Sequence, residues 1–144
     1  MLSCTTLYWQ TMQSEHTMRK TLEKLLVARQ EAKAFGFEWA HSGRLIDQAI
    51  SECEEIREAI ENHEPAHRVQ EEIGDLLHTA ISLCDFMGFD VEETLEKVCA
   101  KFDKRFNNLI KLAKERGLSS LEGKSLAFKL GLWEEIKNTE DHIN

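Results

Sequence analysis

Two acidic clusters hold the side chains most capable of chemistry. The first is Ser51-Glu52-Cys53-Glu54-Glu55-Ile56-Arg57-Glu58, and the second is Glu71-Glu72-Ile73-Gly74-Asp75. Each offers carboxylates three residues apart, a spacing that shares one face of a helix. Two such helices laid side by side point four carboxylates at one spot. An all-oxygen ligand set of this kind suits a hard divalent cation, and Mg²⁺ held this way serves phosphate chemistry. A lone E-x-x-E says little, because acidic residues line the solvated face of many helices. Two clusters in matching helical phase say more.

Phase chooses among the carboxylates. At about 100° per residue, Glu52 lies roughly 90° and Glu55 roughly 150° from the centre of their helix's apolar stripe. Glu72 and Asp75 lie roughly 100° and 160° from theirs, on the corresponding side. Glu54 and Glu58 fall on the opposite flank. The expected ligands are therefore Glu52, Glu55, Glu72 and Asp75. A literal Glu54-Glu55-x-x-Glu58 reading would replace Glu52 by Glu58, and it loses the phase match. Gly74 lies between two of the expected ligands. A helix-interior Gly costs about 1 kcal/mol relative to Ala, which suggests that something approaches closely there.

The elements that must position these groups are helices. Residues 1–16 have weak periodicity and form either a helical arm or a loosely ordered one. Residues 17–144 form the expected single domain. A helix over 17–35 ends at Gly36, and a second runs from about Arg44 to Asn62, before Pro65. Its stripe is Ile46, Ala49, Ile50, Cys53, Ile56 and Ile60. The third spans about Ala66 to Met87, with Ile73, Leu76, Leu77, Ala80 and Cys84 expected inward. Asp90 reads as the N-cap of a fourth, with Glu93 at the capping-box position, and a short helix surrounds Leu130-Trp133-Ile136. The fold class is all-α: an antiparallel helical bundle. Its stripes are broad for one chain, so dimerisation is expected to complete the bundle.

Composition narrows the function classes. The 144 residues carry a net charge of −8, which speaks against a nucleic acid polymer as partner. Apolar residues reach 42% without any run long enough to span a membrane. The N-terminus lacks the pattern of a secretory signal, so a cytoplasmic location is expected. Cys4, Cys53, Cys84 and Cys99 match no zinc spacing and read as buried free thiols.

At these residues the chain resembles the MazG family of nucleoside triphosphate pyrophosphohydrolases. Gly36-Phe37-Glu38-Trp39 is similar to its G-F-[DE]-W lead-in, and residues 52–60 to its E-x-x-E-L-x-E-A-I helix. Glu71-Glu72-Ile73-Gly74-Asp75-Leu76-Leu77 resembles E-E-x-G-D-L-L, and Lys101-Phe102-Asp103-Lys104-Arg105-Phe106 resembles K-F-x-x-R-F. Arg116-Gly117-Leu118 and Trp133-Glu134-Glu135-Ile136-Lys137 resemble the R-G-L and W-x-x-x-K of bacterial members. The likeness spans about residues 22–137. It implies Mg²⁺ at Glu52, Glu55, Glu72 and Asp75, with Glu55, Glu72 and Asp75 counted as catalytic. It also implies substrate contacts from Lys101, Arg105, Trp133 and Lys137. Ser51 departs from the family's Glu, and His78 from its Phe.

Other residues admit two readings. Lys101 and Arg105 share a helix face and suit either surface pairing or a triphosphate. Trp39 and Trp133 could stack on a base or fill a core. Arg68 sits one turn before Glu72, within possible reach of phosphate. Glu71 orients a ligand or lies on the surface. His63 and His67 flank Pro65 and are expected in solvent, as is His78. The resulting expectation is Mg²⁺-dependent hydrolysis of a nucleoside triphosphate to monophosphate and pyrophosphate, in nucleotide-pool house-cleaning, by a homodimer or higher homo-oligomer. The alternatives are a non-catalytic nucleotide- or partner-binding dimer and a phosphoribosyl-ATP pyrophosphohydrolase.

Overall fold

The computed structural model describes the backbone of residues 4–141 and the side chains of residues 17–140. Five helices follow one another: α1 (Cys4–Ala34), α2 (Ser42–Glu61), α3 (Ala66–Phe86), α4 (Val91–Glu115) and α5 (Leu126–Asp141). Among the described residues there is no strand, and no helix is long and apolar enough to cross a membrane. The chain divides into two compact units, residues 1–87 and 88–144.

In the first unit, α1 continues unbroken through residue 16, so the helical one of the two readings of residues 4–16 describes the backbone. The helix ends in a Schellman turn. Gly36 takes a φ of 92°, while the Gly36 and Phe37 amides donate to Lys33 and Ala32 at 2.9 and 2.8 Å. Arg29 ties α1 to α3. Its guanidinium donates to the Ser82 hydroxyl, to the Ser82 carbonyl at 3.4 Å and to Asp85 at 3.3 Å.

A short turn over residues 62–65 reverses the chain, and α2 packs along α3 as a helical hairpin. The residues buried in this pair are Leu45, Glu52 and Ala59 on α2, and Glu72, Thr79 and Ser82 on α3. Leu45, Glu52 and Ala59 recur every seven residues, as do Glu72 and Thr79, which keeps one narrow seam facing the partner helix. Most members of the seam are small or polar, so the backbones can approach closely.

That seam corrects the expected orientation of the apolar stripes. Ile46, Ile50, Ile60, Ile73 and Leu77 are exposed, Leu77 by 61%. The cysteines follow suit: Cys53 and Cys99 are exposed and Cys84 is half-buried, because they lie on or beside stripes that the chain itself leaves uncovered. Cys4 lies outside the described side chains. Gly74 is exposed too, and a Cβ placed there would meet open space, so no close approach within the chain explains it.

In the second unit, Leu109 of α4 packs on Leu132 and Ile136 of α5, with Leu112, Leu121 and Trp133 around them. The Asp90 carboxylate accepts the Glu93 amide at 2.8 Å, which caps α4. The helix closes in a second Schellman turn at Gly117, with a φ of 73°. Asp90→Ala removes the cap's acceptor, and urea unfolding followed by circular dichroism should report a loss of about 1 kcal/mol.

Candidate metal centre

The hairpin seam carries three of the expected ligands to one place. Glu52 and Glu55 from α2 and Glu72 from α3 each offer a carboxylate oxygen, and these atoms lie within 4.8 Å of one another. Glu52 and Glu72 are only 6% and 7% exposed, whereas Glu55 faces solvent. Asp75 lies one turn beyond Glu72 and is exposed. It is outside the close group of three, yet near enough for its charge to act on Glu72. Glu54 and Glu58 are exposed and stand outside the group.

Each grouped carboxylate has a hydrogen-bond donor four residues earlier on its own helix. Gln48 donates to Glu52 at 2.5 Å, Ser51 donates to Glu55 at 3.1 Å, and Arg68 donates to Glu72. One turn of helix separates donor from acceptor, so the side chains stack along one face. Each bond holds one oxygen of its carboxylate. Ser51 and Gln48 thus acquire a role that motif matching missed. The signal was in the sequence, as a donor at i−4 from each of three acids.

Arg68 also pairs with Glu71, and with Glu64 at 3.7 Å. Its guanidinium is therefore engaged by three carboxylates rather than reaching outward for phosphate. Glu71 is exposed and serves as one of them. His63 and His67 are exposed, with the His63 Nδ1 hydrogen-bonded to the Ile60 carbonyl at 3.2 Å in the turn. His78 is exposed and borders a cleft of about 320 Å³ lined also by Phe37, Trp39, Arg29 and Asp85. Trp39 is thus part of an open aromatic wall within the first unit.

The electrostatics centre on Glu72. Burial pushes its carboxyl above the ordinary Glu value. The charge of Arg68 opposes that rise, and the carboxylates of Glu55, Asp75 and Glu52 add to it. A cation among these oxygens would offset both the burial and the mutual repulsion. Three clustered hard oxygens, with no sulfur or imidazole among them, fit a hard divalent cation better than a softer metal.

The remaining expected residues belong to the second unit. Lys101 is exposed on α4, and Arg105 is partly buried one turn further along. Arg105 donates through Nε to Glu140 of α5 at 2.8 Å. Trp133 packs on Phe102 with ring centroids 5.8 Å apart and leans on the α4–α5 core, so its indole has a structural task. Lys137 pairs with Glu134 at 2.7 Å.

Fold and site together define an all-α hairpin that gathers acidic side chains from two neighbouring helices. Residues 41–110 match the MazG nucleotide pyrophosphohydrolase domain. The chain is 30% identical over 106 residues to a nucleoside triphosphate pyrophosphohydrolase of Escherichia coli K12, covering 73% of this chain and 40% of that protein. It is 31% identical over 90 residues to the nucleoside triphosphate pyrophosphohydrolase/pyrophosphatase MazG of Thermotoga maritima, covering 62% of this chain and 34% of that one. The matches span well under half the length of these relatives. Over residues 41–110, just under half of this chain, the likeness is thus to the MazG family's domain.

The raised value of Glu72 has a definite sign. The folded chain keeps this proton at pH values where the unfolded chain has released it. The stability due to Glu72 is therefore full below its ordinary value and is lost as pH rises through the folded value. Glu72→Gln should flatten the stability profile at pH values just above the ordinary Glu value when no divalent cation is present. It should also reduce the rise in melting temperature on adding Mg²⁺. Thermal denaturation over a pH series measures both, and a slope unchanged from wild type would contradict this role for Glu72.

Proposed function

We propose that this chain hydrolyses nucleoside triphosphates to the monophosphate and pyrophosphate, with Mg²⁺ held by Glu52, Glu55, Glu72 and Asp75. The observation that carries the reading is the convergence of Glu52, Glu55 and Glu72 within one segment matched by the MazG domain. Bound there, Mg²⁺ supplies Lewis-acid polarisation of phosphate oxygens and a more acidic water. Gln48, Ser51 and Arg68 hold the ligand carboxylates in place, and Arg68 offsets the charge of Glu72. Asp75 completes the ligand set from the exposed side of α3. Lys101 and Arg105 receive the phosphates, Lys101 as a point charge and Arg105 through its planar fork. The names of the two relatives support a nucleoside triphosphate over phosphoribosyl-ATP as substrate. Removal of unwanted nucleotides in the cytoplasm is the cellular role proposed.

The working form proposed is a homodimer or a higher homo-oligomer. The uncovered side chains of Ile46, Ile50, Ile73 and Leu77 support it, because a second copy would remove them from water. The bare position at Gly74 leaves room for a neighbouring backbone.

Two measurements follow. Pyrophosphate release with Mg²⁺, across ordinary and modified triphosphates, should show turnover. Asp75→Asn should then lower kcat/KM by at least about a hundredfold. Turnover equal to that of the Asp75→Asn variant for every substrate would sink the enzymatic reading. Separately, light scattering should give at least a dimeric mass, and Leu77→Glu should shift it toward the monomer. A monomeric wild-type chain at micromolar concentration would overturn the oligomeric form.

A further inference from the structure

The Arg105–Glu140 pair stands apart from the many surface ion pairs of this chain. Both side chains are largely covered, with exposures of 22% and 17%. The bond uses Nε of Arg105 and Oε2 of Glu140 at 2.8 Å. A guanidinium held at Nε is fixed in its plane, and its two terminal nitrogens remain on the far edge. Those terminal nitrogens are a forked pair of donors suited to two oxygens of one phosphate. A free arginine loses rotamer entropy when it grips such an anion, and one already fixed in place loses less.

The surroundings of Glu140 fit this task. Its second oxygen, Oε1, is buried without a hydrogen bond and lies 3.8 Å from the Lys104 ammonium. The hydrogen bond from Arg105 holds the carboxyl below the usual Glu range. Burial opposes this, and the charges of Arg105, Lys104 and Lys101 add to it. Glu140 is thus one carboxylate on which the charges of three α4 cations act. Simple neutralisation of surface charge would not require burying one of its oxygens without a donor.

We propose that Glu140 is a positioning residue that presents the Arg105 fork to a phosphate group of the substrate. The inference rests on the reading of Arg105 as a phosphate contact. Glu140 lies outside the segment matched by the family domain, on the last turn of α5. By this route a helix that supplies no metal ligand would set the quality of substrate binding.

The test is a double-mutant cycle on pyrophosphate release by the full chain. Arg105→Ala should lower kcat/KM by about tenfold or more, and Glu140→Ala by about three- to tenfold, chiefly through KM. Glu140→Gln keeps an oxygen acceptor for Nε and should recover part of that loss. In the Arg105→Ala background, Glu140→Ala should have no further effect, because nothing remains for it to orient. Melting temperatures taken alongside separate positioning from docking of α5. An equal loss from Glu140→Ala with and without Arg105 would overturn the proposal, since the residue would then act on the fold. Wild-type kinetics for Glu140→Ala beside an impaired Arg105→Ala would overturn it while sparing Arg105 as a phosphate contact. Wild-type kinetics for Arg105→Ala in an active chain would overturn both.

Discussion

Placing two carboxylates in the seam between α2 and α3 is the constraint from which much of the first unit follows. Glu52 and Glu72 occupy positions where a helical hairpin would ordinarily put leucines. Taking charge out of water is costly unless it is paired and hydrogen-bonded. Gln48 and Arg68 provide that pairing from one turn away, and burial still raises the carboxyl of Glu72. The seam also has to be narrow, which the small side chains of Ala59, Thr79 and Ser82 allow. The larger apolar residues are consequently turned outward.

This exchange explains where sequence reasoning succeeded and where it failed. Helix number and type were legible because the 3.6-residue pattern, Pro65 and the glycines after α1 and α4 are strong local signals. The Asp90 cap was legible for the same reason. The grouping of Glu52, Glu55 and Glu72 was reachable from helical phase. The fate of Ile50, Leu77 and Cys53 was not, because periodicity shows that a face is apolar without showing what covers it. The phase argument assumed that the apolar stripe marked the seam. Here the seam is the acidic flank of that stripe.

The donors were missed for a related reason. Gln48, Ser51 and Arg68 look like ordinary polar residues on an acidic helix face. The i−4 spacing from each acid was there to be read, but it is common on helices and gains meaning only once the three acids are known to converge. Trp133 has a task that its motif position does not state, since its ring braces Phe102 and the α4–α5 core. Lys137 likewise has a carboxylate neighbour on its own helix in Glu134.

The turn at residues 62–65 carries a consequence for how the centre comes into being. Glu52 and Glu72 lie on either side of it, each within about three turns of helix, so closing this one hairpin brings them together. Closing a short loop costs little chain entropy, and structures rich in local contacts form quickly. Each donor already lies on the same helix as its acid, so it adds no long-range search. Assembly of the acidic cluster therefore needs only one local contact between neighbouring helices of a single chain.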